Sequence, residues 1–210
     1  MTSAISNEDI FSRPCVQRLI GDIASTCMKN NIAFKLTTGC YVESQIGKCS
    51  GYFSGGGDRQ ALVVSNPRNS ITRLGILIHE SCHMDQYLEK AKVWRNVGGE
   101  HYVYIANWAN NPRSRKGGLE CFKAVVKLEL DCEKRVCRKI REYKLPLDIP
   151  EYIQNANYYL FTYIIAKAER RWAGMGENDK DGYKKMPKRF LGLEHYLNPE
   201  HPLLDAFPVK

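Results

Sequence analysis

No stretch of this 210-residue chain approaches twenty uninterrupted apolar residues, so no segment qualifies as a membrane-spanning helix. The first thirty residues carry Glu8, Asp9, Arg13 and Asp22 where a secretory leader needs an apolar run, and the expectation is a soluble, cytoplasmic protein without a membrane partner. No two cysteines have the Cys-x-x-Cys spacing of structural zinc sites. The eight that occur (15, 27, 40, 49, 82, 121, 132 and 137) therefore read as small buried hydrophobes in a reducing compartment, with a Cys40–Cys49 disulfide expected only in an oxidising one. The triple glycine Gly55-Gly56-Gly57 lacks both the Gly-x-Gly-x-x-Gly pattern and a Gly-Lys-Ser/Thr ending, which makes it a turn rather than a phosphate loop. Internal repeats and low-complexity segments are also missing.

What is present suits one domain, because 43% apolar residues over this length can build a core. Basic residues outnumber acidic ones by 31 to 23, a net charge of +8 that admits an acidic partner such as nucleic acid. The excess is scattered over Arg113 to Lys116, Lys134 to Arg141 and Lys184 to Arg189, with no nucleic-acid motif beside it. Solvated helix faces therefore explain it more simply.

Apolar residues Val16, Leu19, Ile20, Ile23, Cys27 and Met28 recur at helical spacing after Pro14, predicting a helix from 14 to about 30. Short extended stretches follow at 32–37, 40–43, 51–54 and 61–65, separated by glycine and asparagine turn signals, and together they predict a small sheet. Ser70 is the expected N-cap of a helix over 71–92. Further helices are expected over 119–143, between Gly117-Gly118 and Pro146, and over 153–172. Residues 173–210, with four prolines and little periodicity, read as an irregular tail.

The chemistry concentrates in His79-Glu80-Ser81-Cys82-His83. On a helix the two histidines stand on one face a turn apart and converge on a single ion, while Glu80 projects beside them as a general base for water. The apolar run Leu74, Ile76, Leu77 and Ile78 predicts that this helix is buried. A catalytic zinc needs a third protein ligand and an open position. In the 119–143 helix, Phe122, Val126, Glu129, Glu133, Val136 and Ile140 recur at intervals of four and three, so two carboxylates share an apolar stripe, where they are costly unless paired or metal-bound. Lys123, Lys127, Asp131, Lys134 and Arg138 trace the opposite, polar face. Glu129 is the expected third ligand and Glu133 the residue orienting a ligating histidine, with the reverse order open. His101, expected on a loop or edge, is the alternative ligand.

This pairing of His79 to His83 with Glu129-Leu130-Asp131-Cys132-Glu133 resembles the gluzincin branch of the zincin metallopeptidases, which combine His-Glu-x-x-His with a downstream Glu-x-x-x-Asp/Glu. The resemblance covers roughly residues 60 to 140. It departs from the pattern at Glu133, where Asp is usual, and the whole is similar to uncharacterised, often phage-encoded proteins of metallopeptidase type. It implies an α+β zincin-like fold with a small twisted sheet on the motif helix and a mainly helical C-terminal part. One Zn2+ per chain and peptide-bond hydrolysis of a protein or peptide substrate are also implied. In the family a strand at the edge of the cleft, here 61–65, can pair with an extended substrate backbone, and a Tyr, His or Arg stabilises the oxyanion. Tyr158, Tyr159, His195 and His201 are the candidates, the two tyrosines reading equally as core aromatics. With His101 as ligand the chain would look like the SprT-type proteases that act on DNA-bound proteins. A different class, a non-catalytic basic binding protein stapled by zinc, would need a closed site recruiting Cys82 or His101 as a fourth ligand.

Overall fold

The structure is a computed structural model and describes residues 10–44, 47–56, 59–67, 69–97, 99–110, 119–169 and 182–207. It is a mixed α+β protein in which helices predominate. The chain divides into two compact units, one of residues 1–89 with 138–147 and one of residues 90–137 with 148–210.

In the first unit, helix α1 (Pro14–Lys29) starts on a proline, whose fixed φ and missing N–H suit a first turn, and buries Val16, Leu19, Ile23 and Cys27. Strands β1 (Ala33–Leu36), β4 (Gly51–Ser54) and β5 (Ala61–Val64) form a sheet of order β1-β5-β4, with β1 parallel and β4 antiparallel to β5. Strands β2 (Val42–Ser44) and β3 (Gly47–Cys49) form a separate antiparallel pair. Its register sets Val42, not Cys40, opposite Cys49, and all eight cysteines are free thiols.

The sheet corrects one expectation. β5 is the central strand, hydrogen-bonded to a neighbour on both sides, and has no edge for a substrate backbone. Its uninterrupted run Leu62, Val63 and Val64 is buried, as suits a strand covered on both faces. β4 is an edge strand instead.

Helix α2 (Ser70–Leu88) packs on β4 and β5 through Leu74, Leu77, Ile78 and their neighbours. Its N-cap is Asn69 rather than Ser70, because the Asn69 carboxamide oxygen reaches the N–H groups of Ile71 at 2.8 Å and Thr72 at 3.3 Å. The helix ends at Leu88, and Lys90 takes a left-handed φ of 53°. The last turns of helix α5 (Leu119–Tyr143) belong to this unit: Lys139 Nζ bonds Asp85 at 2.7 Å and Ser81 Oγ at 2.9 Å, and Tyr143 donates to Asp22 at 2.8 Å.

The second unit holds α3 (Lys92–Arg95), α4 (Gly99–Asn110), the rest of α5, and α6 (Ile149–Glu169). α5 has the predicted bounds. α4 was not anticipated, and His101, expected on a loop or edge, lies in its first turn. α6 begins four residues earlier than predicted, since Asp148 Oδ1 accepts from Glu151 N at 2.7 Å and Pro150 fits the first turn. Residues 170–172 of the expected helix lie outside the described residues.

Phe122, Val125 and Val126 of α5, Ile105 of α4 and Leu160, Phe161 and Ile164 of α6 form the core of this unit. The described part of the C-terminal stretch has three short 3-10 turns and is tied to α6 by polar side chains. Gln154 donates to the carbonyls of Lys184 and Met186, Asn157 donates to those of Pro187 and Arg189, and Tyr196 donates to Asn157 at 2.5 Å. Tyr196 is fully buried, so this stretch completes the core rather than trailing over it. Among the described residues, no helix is long and apolar enough to cross a membrane.

Candidate metal centre

The period of α2 places His79 and His83 one turn apart, with their rings edge to face at 4.7 Å between centroids and their Nε2 atoms 3.1 Å apart. His83 is buried, and its Nδ1 lies 2.8 Å from Oε1 of the fully buried Gln86. A carboxamide oxygen only accepts, so Nδ1 carries the proton and His83 Nε2 presents its lone pair towards His79. Two imidazole nitrogens on one tetrahedral zinc, each at about 2.0–2.1 Å, stand about 3.3 Å apart. The observed spacing is within a few tenths of an ångström of that, and the His83 tautomer is the one a ligand needs. The pair fits an ion.

Glu80 is buried to 9% exposure next to these rings in sequence, and it packs against Gly51 at the start of β4. A Cβ at Gly51 would stand 3.2 Å from Glu80 Cγ and 2.7 Å from Ile76 Cγ2, so only glycine lets the edge strand approach this close.

Glu129 and Glu133 are 2% and 4% exposed, as the apolar stripe predicted. Each is held by tyrosine. Glu129 Oε1 accepts from Tyr102 of α4 and, at 3.4 Å, from Tyr163 of α6, whose hydroxyl also meets that of Tyr159 at 2.7 Å. Glu133 Oε2 accepts from Tyr152 at 2.5 Å. Burial first, and then the nearby Glu129 charge, push Tyr102, Tyr159 and Tyr163 well above the ordinary tyrosine range, so at neutral pH all three remain protonated donors.

His79, His83 and Cys132 each offer one ligand atom, all within 4.8 Å of one another, and this group could hold a metal ion. Cys132 was not foreseen as a donor; it is buried and stands next to Glu133 in sequence, just outside the stripe that carries Glu129. Gln86, three residues after His83, was also missed, as were Tyr102, Tyr152 and Tyr163.

The remaining candidates are not part of the His79–His83–Cys132 group. His101 is half-buried on α4 and is not in the His79 group, and among the described residues nothing bonds its buried Nδ1. Tyr158 is a core aromatic stacked on Phe207 at 4.1 Å, whereas Tyr159 joins the tyrosines around Glu129. His195 and His201 pair with each other at 3.1 Å, and His201 Nδ1 caps a 3-10 turn by accepting from Leu203 N. Both histidines are engaged in building the C-terminal stretch. Comparison with protein-family models, curated proteins and solved structures finds no match to this chain, so the reading of the centre rests on its own residues.

Proposed function

We propose that the chain is a zinc-dependent hydrolase of zincin type that cleaves peptide bonds. The observation that carries this reading is the His79–His83 pair: two Nε2 atoms 3.1 Å apart on a buried helix, the His83 tautomer fixed by Gln86, and Glu80 between them in sequence. Nitrogen donors with a carboxylate or thiolate suit zinc best among common ions. When bound, such an ion polarises a carbonyl and lowers the pKa of water. Beside such an ion Glu80 would be the residue to accept a proton from water and pass it to the leaving nitrogen. Its burial strengthens that role by excluding bulk water from the proton transfer. The edge strand β4, which meets α2 beside Glu80, supplies backbone groups to which an extended peptide can add as a further strand, and this favours a polypeptide substrate.

The third ligand comes from α5. The gluzincin resemblance supports Glu129, with Tyr102 and Tyr163 fixing the carboxylate, and the His79–His83–Cys132 group supports the Cys132 thiolate. Either donor would bring the protein ligands to three, the number a catalytic zinc uses. The competing class, a binding protein with a structural zinc, needs a fourth protein ligand.

The deciding experiment measures zinc per chain by mass spectrometry in the parent, Glu129→Gln and Cys132→Ser proteins, and then records the cobalt-substituted spectrum. One zinc in the parent, with a near-ultraviolet thiolate band that disappears in Cys132→Ser, assigns Cys132. No such band, with metal lost in Glu129→Gln, assigns Glu129. Hydrolysis of unfolded protein substrates by the parent and not by Glu80→Gln supports the peptidase; a chain that binds no zinc overturns it.

A further inference from the structure

The outward face of α5 carries a feature independent of the histidine pair. Lys123, Lys127, Lys134, Arg138 and Arg141 are all exposed. At about 100° per residue they lie within about 60° of one another around the axis, and they run about 27 Å along it. They form one basic ridge along one continuous helix.

The other basic residues of this helix are neutralised. Arg135 pairs with Asp131 at 2.7 Å and Lys139 with Asp85 at 2.7 Å. On the ridge, Lys123 meets Glu120 at 3.9 Å, a solvent-exposed contact that contributes little. Among the described residues, Lys127, Lys134, Arg138 and Arg141 have no ion pair; Asp131, which lies beside the ridge, is taken up by Arg135, and the helix's exposed acids, Glu120 and Glu142, stand at its two ends. The fold does not require this arrangement. The core is built by the opposite face, through Phe122, Val125 and Val126, and any polar residue would serve on the ridge. Like charges at spacings of three and four, such as Lys123 with Lys127 and Lys134 with Arg138, destabilise a helix. Charges that cost stability and, Lys123 apart, have no ion pair among the described residues point to a partner outside the chain.

We propose that this ridge binds the phosphodiester backbone of nucleic acid. A rigid line of cations matches a rigid line of anions, and each strand of a duplex presents a phosphate about every 3.4 Å of axis, so the ridge meets phosphates in any register. A membrane surface fits less well, because an interfacial helix needs an exposed apolar face and the apolar face of α5 is buried in the core. Contacts of this kind position a protein without reading sequence.

The test is fluorescence anisotropy of a labelled 24-base-pair DNA duplex with the full chain between 50 and 200 mM KCl. With four to five phosphates neutralised, the slope of log K against log salt is about −4. Lys127→Gln/Lys134→Gln/Arg138→Gln brings it to between about −1 and −2 and weakens binding at least tenfold at 50 mM, and Lys134→Gln alone lowers the slope by about one. Glutamine has a helix propensity close to that of lysine, and circular dichroism checks that α5 persists. Lys29→Gln/Lys35→Gln/Lys48→Gln removes the same charge from exposed positions elsewhere and leaves binding within threefold of the parent. Equal weakening by both triple variants traces the binding to net charge and overturns the proposal, as does a parent that does not bind at 50 mM. Polyglutamate competing as well as unlabelled duplex would assign the ridge to an acidic protein surface instead. Single-stranded RNA binding with the same dependence on the ridge residues extends the proposal to that nucleic acid.

Discussion

Gln86 offers the sharpest test of how the histidine pair is prepared for an ion. Its Oε1 fixes the His83 tautomer across 2.8 Å inside α2, and the residue is fully buried. Gln86→Leu keeps approximate volume and helix propensity but removes the acceptor. His83 then has two options, and both oppose binding. It can keep its proton on Nδ1, leaving a buried donor unsatisfied at about 1–3 kcal/mol. Alternatively it can move the proton to Nε2 and block the ligating lone pair. Loss of such an orienting partner typically lowers metal affinity by 10- to 100-fold, about 1.4–2.7 kcal/mol. Gln86→Glu retains an acceptor at the same place and adds negative charge beside the imidazole, so its affinity equals or exceeds the parent's. Competition with a chromophoric zinc chelator at pH 7.5 measures all three proteins, and thermal unfolding of the metal-free forms separates affinity from stability. A Gln86→Leu protein that binds zinc within threefold of the parent refutes the argument, as does a Gln86→Glu protein that loses as much as Gln86→Leu.

Other perturbations test the scaffold. Gly51→Ala places a methyl 2.7 Å from Ile76 Cγ2 and 3.0 Å from Val63 O; such overpacking costs about 1–3 kcal/mol, lowering the melting midpoint by roughly 2–10 °C, whereas Gly56→Ala, with nothing within 4 Å, leaves it unchanged. Lys139→Met strands Asp85 and removes a donor to Ser81, and denaturant titration should show a loss of about 1–3 kcal/mol that shrinks when Asp85 is also replaced by Asn. Burial, and secondly His195, hold His201 below its ordinary pKa of 6.5. As pH falls through that value the unfolded chain therefore takes up the proton before the folded chain does, and stability drops on acidification. Melting midpoints recorded from pH 7.5 to 5.5 show this slope in the parent and a shallower one in His201→Asn.

The elements legible in the sequence were those whose pattern and ends were both local. α5 kept its predicted bounds because glycines, a proline and a strong apolar period all agree. β4 matched its predicted span because Gly51 and the glycines from Gly55 on mark its two ends. Where two adjacent residues can do one job, geometry decides: Asn69 and Ser70 can both cap, and Asn69 is the one whose oxygen reaches the first free N–H groups. α4 was hidden by Gly98-Gly99, which reads as a break although Gly99 begins the helix. Strand order is not a local property, and β5 could be recognised as central only from the unbroken burial of Leu62 to Val64.

The same distinction governs the site. His79, Glu80 and His83 are legible because a single helical period brings them together, and Gln86 lies within that period too, so its role was readable and overlooked. The burial of Glu129 and Glu133 was likewise written in the stripe of α5. Their partners were not, since Tyr102 lies 27 residues before Glu129, Tyr163 34 residues after it, and Tyr152 19 residues after Glu133. A buried carboxylate must have its acceptors satisfied, and periodicity reveals the demand without revealing the supplier. Once α4 and α6 are known the suppliers are hydroxyls, which bond a carboxylate without neutralising it. Removing one hydroxyl, as in Tyr102→Phe, therefore tests the orientation of Glu129 while leaving its carboxyl group in place, a separation that replacing the glutamate itself cannot achieve.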